Sequence, residues 1–375
     1  MVALTFAREY PPPVAPVAPS SASPAAEDPP VGRGAEYAPL VEVEDLTVRF
    51  VTRDSSVSVI NGVSFTVKPG EVLCLLGESG SGKSVTMRSL IRLLPASARY
   101  GGRIRVGGAD ILSLAPRALE RFRGTTAAMI FQEPMTALDP VFKVGTQIAE
   151  ALVTTKGISW KSARARALDL LELVQVPSAK RRLDAYPHEL SGGLRQRVMI
   201  AHALATSPKL LLADEPTTAL DATVQIQVLL LLRELQQRLG MATIFVTHDL
   251  GVACEIADRI GVMYAGRLVE LGTVEEIMER PRHPYTEGLM RSTVHAGMRG
   301  RVLDAIPGMP PDLAALPQGC AFAPRCRDAR AVCLDQPPAE TFLAGGRHVR
   351  CLREAPGTAF AESPVLSASH SLHPS

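Results

Sequence analysis

A chain of 375 residues, 46% hydrophobic and 21% charged, has the balance of a globular protein and is long enough for one large domain or two ordinary ones. Its formal net charge of +2 gives no sign of the concentrated basic surface that nucleic-acid binders carry. No run approaches the roughly eighteen apolar residues of a membrane span, and the start, MVALTFAREYPPPV, lacks the layout of a secretory signal, so the six cysteines are expected in a reducing cytosol.

Residues 1–39 are dominated by Pro, Ala, Ser and Val, a composition that buries too little apolar surface to offset its ordering entropy, and a disordered leader is expected. Alternation of Val41, Val43, Leu46, Val48 and Phe50, repeated by Val63, Phe65 and Val67, predicts an antiparallel sheet with one buried face. The unbroken apolar run in EVLCLLG predicts a strand buried on both faces. A helix is expected from Lys83, with Met87, Leu90, Ile91 and Leu94 at helical spacing and Pro95 as its stop. From about 135 to 205 the pattern is helical, as in GTQIAEALV, SARARALDLLELV and RQRVMIAHALA. Strand-like runs return at KLLLADEP and ATIFVTHD, separated by the helical ATVQIQVLLLLRELQQRLG with Gly240 as its C-cap. After about 280 the texture changes to Pro-rich turns plus cysteines, read as a small appendage beyond the core, and residues 356–375 read as a disordered tail.

Residues 77–84, GESGSGKS, fit the phosphate-loop pattern and stand between a buried strand and a helix start, where the chemistry requires them. Gly77, Gly80 and Gly82 let successive N–H groups, through Ser79 and Ser81, turn toward phosphate oxygens. The helix N-terminus adds partial positive charge. Lys83 would hold the β- and γ-phosphates of ATP, and Ser84 would offer its hydroxyl to Mg²⁺.

The run LLLADEP at 210–216 ends a buried strand in two carboxylates, which is costly unless something cationic meets them. Asp214 is expected to hold Mg²⁺ through water, and Glu215 to activate the water that attacks the γ-phosphate. Together these motifs specify a P-loop nucleotide hydrolase. A further nest, Ser191, Gly192 and Gly193 in LSGGLRQR, precedes a helical run. Because the chain already has its own phosphate loop, the second nest is expected to serve a nucleotide held by another subunit.

In this order the motifs resemble those of the ATP-binding subunits of ABC transporters, over about residues 41–280. The resemblance implies an α/β fold: a P-loop cassette at 40–280 with a mostly parallel sheet core, an antiparallel β subdomain and a helical subdomain at about 135–205, followed by a Cys-containing extension at 281–355. It also implies that Gln132 in FQEP touches Mg²⁺ or the attacking water, that Asp221 in TALDA is the D-loop aspartate, and that His248 in FVTHD contacts the γ-phosphate. Phe50 lies where the family places an aromatic that stacks on adenine. Leu194 departs from the usual signature glutamine, but the Ser191 hydroxyl and the Gly193 backbone do not depend on it.

ALDPVFKVGTQIAEAL and RPRHPYTEGLM, the latter with His283, Pro284 and Tyr285, resemble the dipeptide/oligopeptide import branch, which also includes importers of nickel and other solutes. That branch implies an ATP-hydrolysing subunit at the cytoplasmic face of the plasma membrane. It would pair with a second, different cassette and two membrane permease subunits, and be served indirectly by an extracytoplasmic solute-binding protein, with no nucleic acid. One Lys83 loop and one Ser191 nest per chain fit that pairing, with ATP sandwiched between two cassettes. The alternatives are a motor for nickel or another small solute, an exporter motor, and a soluble ABC ATPase of DNA repair or ribosome recycling. The last usually carries a second cassette, a coiled coil or a nucleic-acid domain, none of which is visible.

Cys74 and Cys254 fall in predicted elements and read as small core residues. Cys320, Cys326, Cys333 and Cys351 lack the close pairs of a zinc ribbon. Their wide spacing is compatible with a [4Fe–4S] cluster, with zinc, or with free thiols in a packed appendage.

Overall fold

The computed structural model describes residues 38–132, 137–218, 220–292, 304–357 and 360–361. Most of the expected leader and all but the start of the expected tail lie outside these residues. The alternation near the start gives β1 (Val41–Val51) and β2 (Ser56–Val67), paired antiparallel with Val43 opposite Phe65 and Val48 opposite Ile60. Val41, Val43, Leu46 and Val48 are buried, while Glu44 and Arg49 face solvent. The other edge of β1 pairs with β4 (Ala98–Val106), which also carries the two-residue β5 (Ala109–Asp110).

The second sheet is the core. Its strand β3 (Val72–Leu76) is buried at every position because parallel strands flank it on both sides. Those neighbours are β8 (Ala242–Thr247) and β9 (Arg259–Tyr264), and beyond β8 come β7 (Leu210–Asp214) and β6 (Ala127–Ile130), all parallel. After β9 the sheet turns antiparallel through β10 (Arg267–Thr273). Mostly parallel core, antiparallel sheet and helices match the α/β cassette expected from the sequence.

Helix α1 (Lys83–Ser89) follows β3 and is shorter than its apolar spacing predicts. Leu90 and Ile91 remain buried, but the chain turns out at Arg92, whose φ of 49° ends the helical path before Pro95. Helix α2 (Pro116–Thr125) leads into β6. The helical middle holds α3 (Val144–Lys156), α4 (Trp160–Leu173), the single turn α5 (Ala179–Arg182) and α6 (Gly192–Leu204). Helix α7 (Ala222–Leu239) joins β7 to β8 and ends on Gly240 in the left-handed conformation, as expected of its C-cap. Helix α8 (Leu250–Ile256) returns the chain to β9. Among the described residues no helix is long and apolar enough to cross a membrane.

Beyond β10, α9 (Val274–Glu279) and α10 (Pro284–Arg291) lead into a segment with the turn α11 (Val332–Asp335) and two short strands, β11 (Thr341–Phe342) and β12 (His348–Val349). The change of texture at 280 suggests an appendage outside the core, but the structure joins it to the core. Strand β12 pairs with β10, and β11 with β12, so the extension lengthens the main sheet. Tyr285 and Phe322 lie in the main apolar core, with ring centroids 4.6 and 5.2 Å from that of Tyr264. Glu270, fully buried on β10, accepts the backbone N–H groups of Arg282 and His283 at 2.8 and 3.0 Å and pairs with Arg347. A buried carboxylate that, among the described residues, takes its partners from the extension fixes where that segment sits.

Candidate nucleotide site

The parallel strands β3, β7 and β8 end on one edge of the sheet, the edge where open α/β sheets hold their ligands. Gly77 ends β3 with φ +151°, and a Cβ there would come within 2.2 Å of the Met263 carbonyl oxygen. Gly82 caps α1 in the left-handed conformation. Only glycine permits both the turn and the close approach. Lys83 is 5% exposed, and its ammonium donates to the carbonyls of Gly77 and Glu78 at 2.7 and 2.9 Å. Burial lowers the affinity of the Lys83 amine for its proton, while Glu215 and Asp214 oppose that effect. Among the described residues the buried Ser81 hydroxyl finds no hydrogen-bond partner, an unsatisfied group within a loop whose amides suit phosphate.

Asp214, at the end of β7, is fully buried; it accepts from the Ser84 hydroxyl at 2.7 Å and pairs with Arg88 at 3.2 Å. Its neighbour Glu215 has φ +45°. The Glu215 carboxylate accepts from the Gln132 amide at 3.3 Å and the Thr218 hydroxyl at 2.9 Å, and stands 3.3 Å from His248 Nδ1. Gln132, Asp214, Glu215 and His248 thus reach one place from three strand ends. Gln132, Glu215, His248 and the loop wall an open pocket of about 740 Å³, within the usual range for small-ligand sites, with Asp214 buried behind Ser84. The apolar part of the wall is Val59, Val85, Leu289 and Leu313.

Sequence reasoning missed several of these residues. Arg88 lies one helical turn after Ser84 and Thr218 three residues after Glu215, so local spacing could have found both. Glu78, Leu289 and Leu313 carry no local signal.

Other expected residues lie elsewhere. Phe50 is half-buried on β1, opposite Val57 and Ala98 and packed on the core of the smaller sheet, and it does not line the pocket. Ser191 is exposed at the N-terminus of α6, with Gly192 and Gly193 in its first turn. None of the three lines the pocket. A Cβ on Gly193 would meet Val224 Cγ1 at 2.5 Å, so the turn packs tightly on α7. Asp221 caps α7, its Oδ1 accepting the Val224 N–H at 3.0 Å.

The expected four-thiolate set is not assembled as a metal site in this structure. Among the described residues no three Cys, His, Asp or Glu side chains are gathered to hold a metal ion. Cys320, Cys326, Cys333 and Cys351 are free thiols. Cys333 packs with Ala323 and Leu352, Cys326 packs on the main core, and Cys320 touches both clusters. Burial raises the Cys320 thiol and pushes those of Cys326 and Cys351 up to about 12, which keeps them protonated at neutral pH.

Residues 60–218 match the family model described as ABC transporter, and residues 269–333 match the one described as oligopeptide/dipeptide transporter, C-terminal region. The chain is 47% identical over 306 residues to the oligopeptide transport ATP-binding protein OppD of Salmonella typhimurium, covering 82% of this chain and 91% of that one. The OppD of Bacillus subtilis is 47% identical over 328 residues, covering 87% and 92%. Among solved structures, the dimeric post-hydrolysis state of the ATP-binding cassette MJ0796 bound to ADP and Pi aligns with a TM-score of 0.56 at 27% identity, over 62% of this chain and 98% of that one. Cassette fold, converged strand-end residues and these relatives agree: the chain belongs to the ABC transporter family as one of its ATP-hydrolysing subunits, which bind ATP and Mg²⁺, and it carries the oligopeptide/dipeptide transporter C-terminal region.

Proposed function

We infer that the chain is the ATP-hydrolysing subunit of an importer of di- and oligopeptides, peripheral at the cytoplasmic face of the plasma membrane. The observation that carries this reading is the convergence of Gln132 and His248 on Glu215 beside the Lys83 loop, in a chain with the oligopeptide-type C-terminal region. Two relatives named for oligopeptide transport favour peptides over nickel as the cargo.

In this reading Lys83 exchanges its carbonyl partners for the β- and γ-phosphates of ATP, and the loop amides from Gly77 to Gly82 take the remaining phosphate oxygens. Ser84 and Asp214 would hold Mg²⁺, which when bound neutralises the phosphate charge. Their 2.7 Å contact supports the assignment, since it places both oxygens within reach of one ion. Glu215 takes the proton of the attacking water; Gln132, Thr218 and His248 fix its orientation. His248 is half-exposed at the pocket, which suits a contact to the γ-phosphate. Phe50, away from the pocket wall in this structure, keeps its adenine assignment only as a residue brought up when nucleotide binds.

Ser191 and Gly192 are exposed at the start of a helix, Gly193 is half-buried, and none of the three lines the chain's own pocket, which supports service to a nucleotide on a second cassette. Asp221 would act at the same junction by holding α7 against that turn. The second cassette is proposed to be a different chain, as in the import branch. Val141 and Phe142, 69% and 53% exposed just after the Gln132 segment, offer an apolar surface to the membrane permease subunits. Those subunits, two of them, would receive solute from an extracytoplasmic binding protein.

An iron–sulfur role for the tail cysteines has one support. Burial is the main cause that raises the thiols of Cys320, Cys326 and Cys351, and neighbouring cysteines, Cys333 among them, add to it, so the four share one electrostatic neighbourhood. A four-iron cluster keeps its thiolates farther apart than a single ion does. Anaerobic purification with a visible spectrum and iron analysis tests it: a colourless, iron-free protein with four titratable tail thiols rejects it.

The transport reading is tested by reconstituting the chain with its permease and cassette partners in liposomes. Hydrolysis should be stimulated by binding protein loaded with a mixed-peptide pool and not by the same protein offered Ni²⁺. Stimulation by nickel alone would replace the cargo assignment.

A further inference from the structure

Glu78, the second residue of the phosphate loop, is held on three sides. Its carbonyl accepts from Lys83 at 2.9 Å, its N–H donates to the Tyr285 hydroxyl at 2.9 Å, and its carboxylate accepts both terminal nitrogens of Arg325 at 2.7 and 2.9 Å. Tyr285 and Arg325 come 207 and 247 residues later, from α10 and from the turn Ala323–Arg325 between Cys320 and Cys326.

Arg325 is itself fixed. It is 6% exposed, its Nε donates to the Pro307 carbonyl at 2.9 Å, and its guanidinium stands 5.8 Å over the Tyr264 ring. A bidentate guanidinium–carboxylate pair constrains both distance and plane, unlike a mobile surface ion pair. A buried guanidinium without its carboxylate would also be an uncompensated charge, so the seat of the extension and the position of Glu78 depend on each other. The same extension supplies Leu289 and Leu313 to the nucleotide pocket.

We propose that Arg325 is a positioning residue for ATP: through the carboxylate of Glu78 it holds the phosphate loop in its binding conformation, so the C-terminal extension sets the affinity of the nucleotide site. The proposal rests on the assignment of the Lys83 loop to ATP. Nucleotide binding and the cysteine-bearing segment are then linked by direct bonds, and whatever displaces Arg325 weakens ATP binding.

The test is equilibrium binding of N-methylanthraniloyl-ATP with Mg²⁺ to the full chain. Arg325→Met should raise Kd about tenfold, the scale of a lost charged hydrogen-bond pair. Glu78→Gln, which keeps the shape but removes the charge, should raise it about threefold, and the double variant should match Arg325→Met alone. Arg325→Lys, with a single point charge, should recover part of the loss. In the assembled transporter the KM for ATP should rise by the same factor with kcat within about twofold of wild type, the signature of lost uniform binding.

If Arg325 merely props the extension, Arg325→Met lowers Tm while Kd stays at the wild-type value, or the single effects multiply in the double variant. Either result overturns the proposal. If Arg325→Met does not fold, Glu78→Gln decides: an unchanged Kd overturns the proposal as well. A Lys83→Ala control separates the two levels. Wild-type binding by Lys83→Ala removes the nucleotide reading itself, whereas lost binding in Lys83→Ala beside unchanged binding in Arg325→Met removes only the role of Arg325.

Discussion

The Ser84 hydroxyl donates to Asp214 Oδ1 at 2.7 Å, although 130 residues separate the two in sequence. One stands at the start of α1 and the other at the end of β7, and Asp214 is fully buried. A hydroxyl and a carboxylate oriented this way suit a hard cation. Ser84→Ala should therefore weaken Mg²⁺-dependent ATP binding by about tenfold and leave binding in excess chelator unchanged. Titration of the fluorescent nucleotide with and without Mg²⁺ measures both. An equal loss in the two conditions would assign Ser84 to the phosphate rather than to the metal.

Glu215 is the base in this account, and three side chains orient its carboxylate. Glu215→Gln preserves size and most hydrogen bonding but removes the basic oxygen. Phosphate release should fall by about 10²-fold or more, with nucleotide affinity within about threefold of wild type. Wild-type turnover in Glu215→Gln would move the base elsewhere.

Asp221 separates a cap from a contact across subunits. Its side chain accepts the Val224 N–H at 3.0 Å and thereby begins α7. Asp221→Asn keeps an acceptor, and Asp221→Ala removes it, at about 1 kcal/mol. Calorimetry should show Asp221→Ala melting about 2 °C lower and Asp221→Asn close to wild type. Should both variants hydrolyse ATP slowly while only Asp221→Ala melts early, the carboxylate has a second role at the cassette junction.

His283 makes stability depend on pH. Burial, with Arg353 nearby, lowers its pKa from 6.5 to about 3, and its Nδ1 accepts the Tyr285 N–H at 3.0 Å. The folded protein therefore holds His283 neutral, while the unfolded chain takes up a proton below about 6.5. The resulting stability is full above pH 6.5 and is lost as pH falls toward 3. Between pH 7 and 5 that loss is about 2 kcal/mol. His283→Asn keeps a cap acceptor without titrating, so denaturant midpoints of this variant should vary less with pH over that range. Parallel pH profiles of variant and wild type would show that His283 is not the titrating group.

Strand, loop and helix around Lys83 were legible because two independent patterns coincide there, an unbroken apolar strand and glycines at phosphate-loop spacing. Asp214 and Glu215 were legible for a related reason, since they end a strand too apolar to lie anywhere but the sheet interior, whereas His248 was named only through the family resemblance. The end of α1 was not, because the backbone turn at Arg92 overrides a continuing apolar spacing. Nor was the seating of the extension. Tyr285 and Phe322 look like ordinary apolar residues until Tyr264 meets them, and Glu270 gives no sign that Arg347 lies 77 residues ahead. The tail cysteines show the limit of spacing. Four thiols near one another in sequence suggested a ligand set, but spacing alone cannot say whether their sulfurs converge, and among the described residues they are not gathered as a metal-binding group.

The most direct test of the central claim is uptake of a labelled peptide into liposomes bearing the assembled transporter, with ATP on the side of this subunit. Wild-type protein should accumulate peptide in proportion to ATP hydrolysed, and Glu215→Gln should lose both activities together by about 10²-fold. Sustained uptake by Glu215→Gln, or hydrolysis that never moves peptide, would contradict the account.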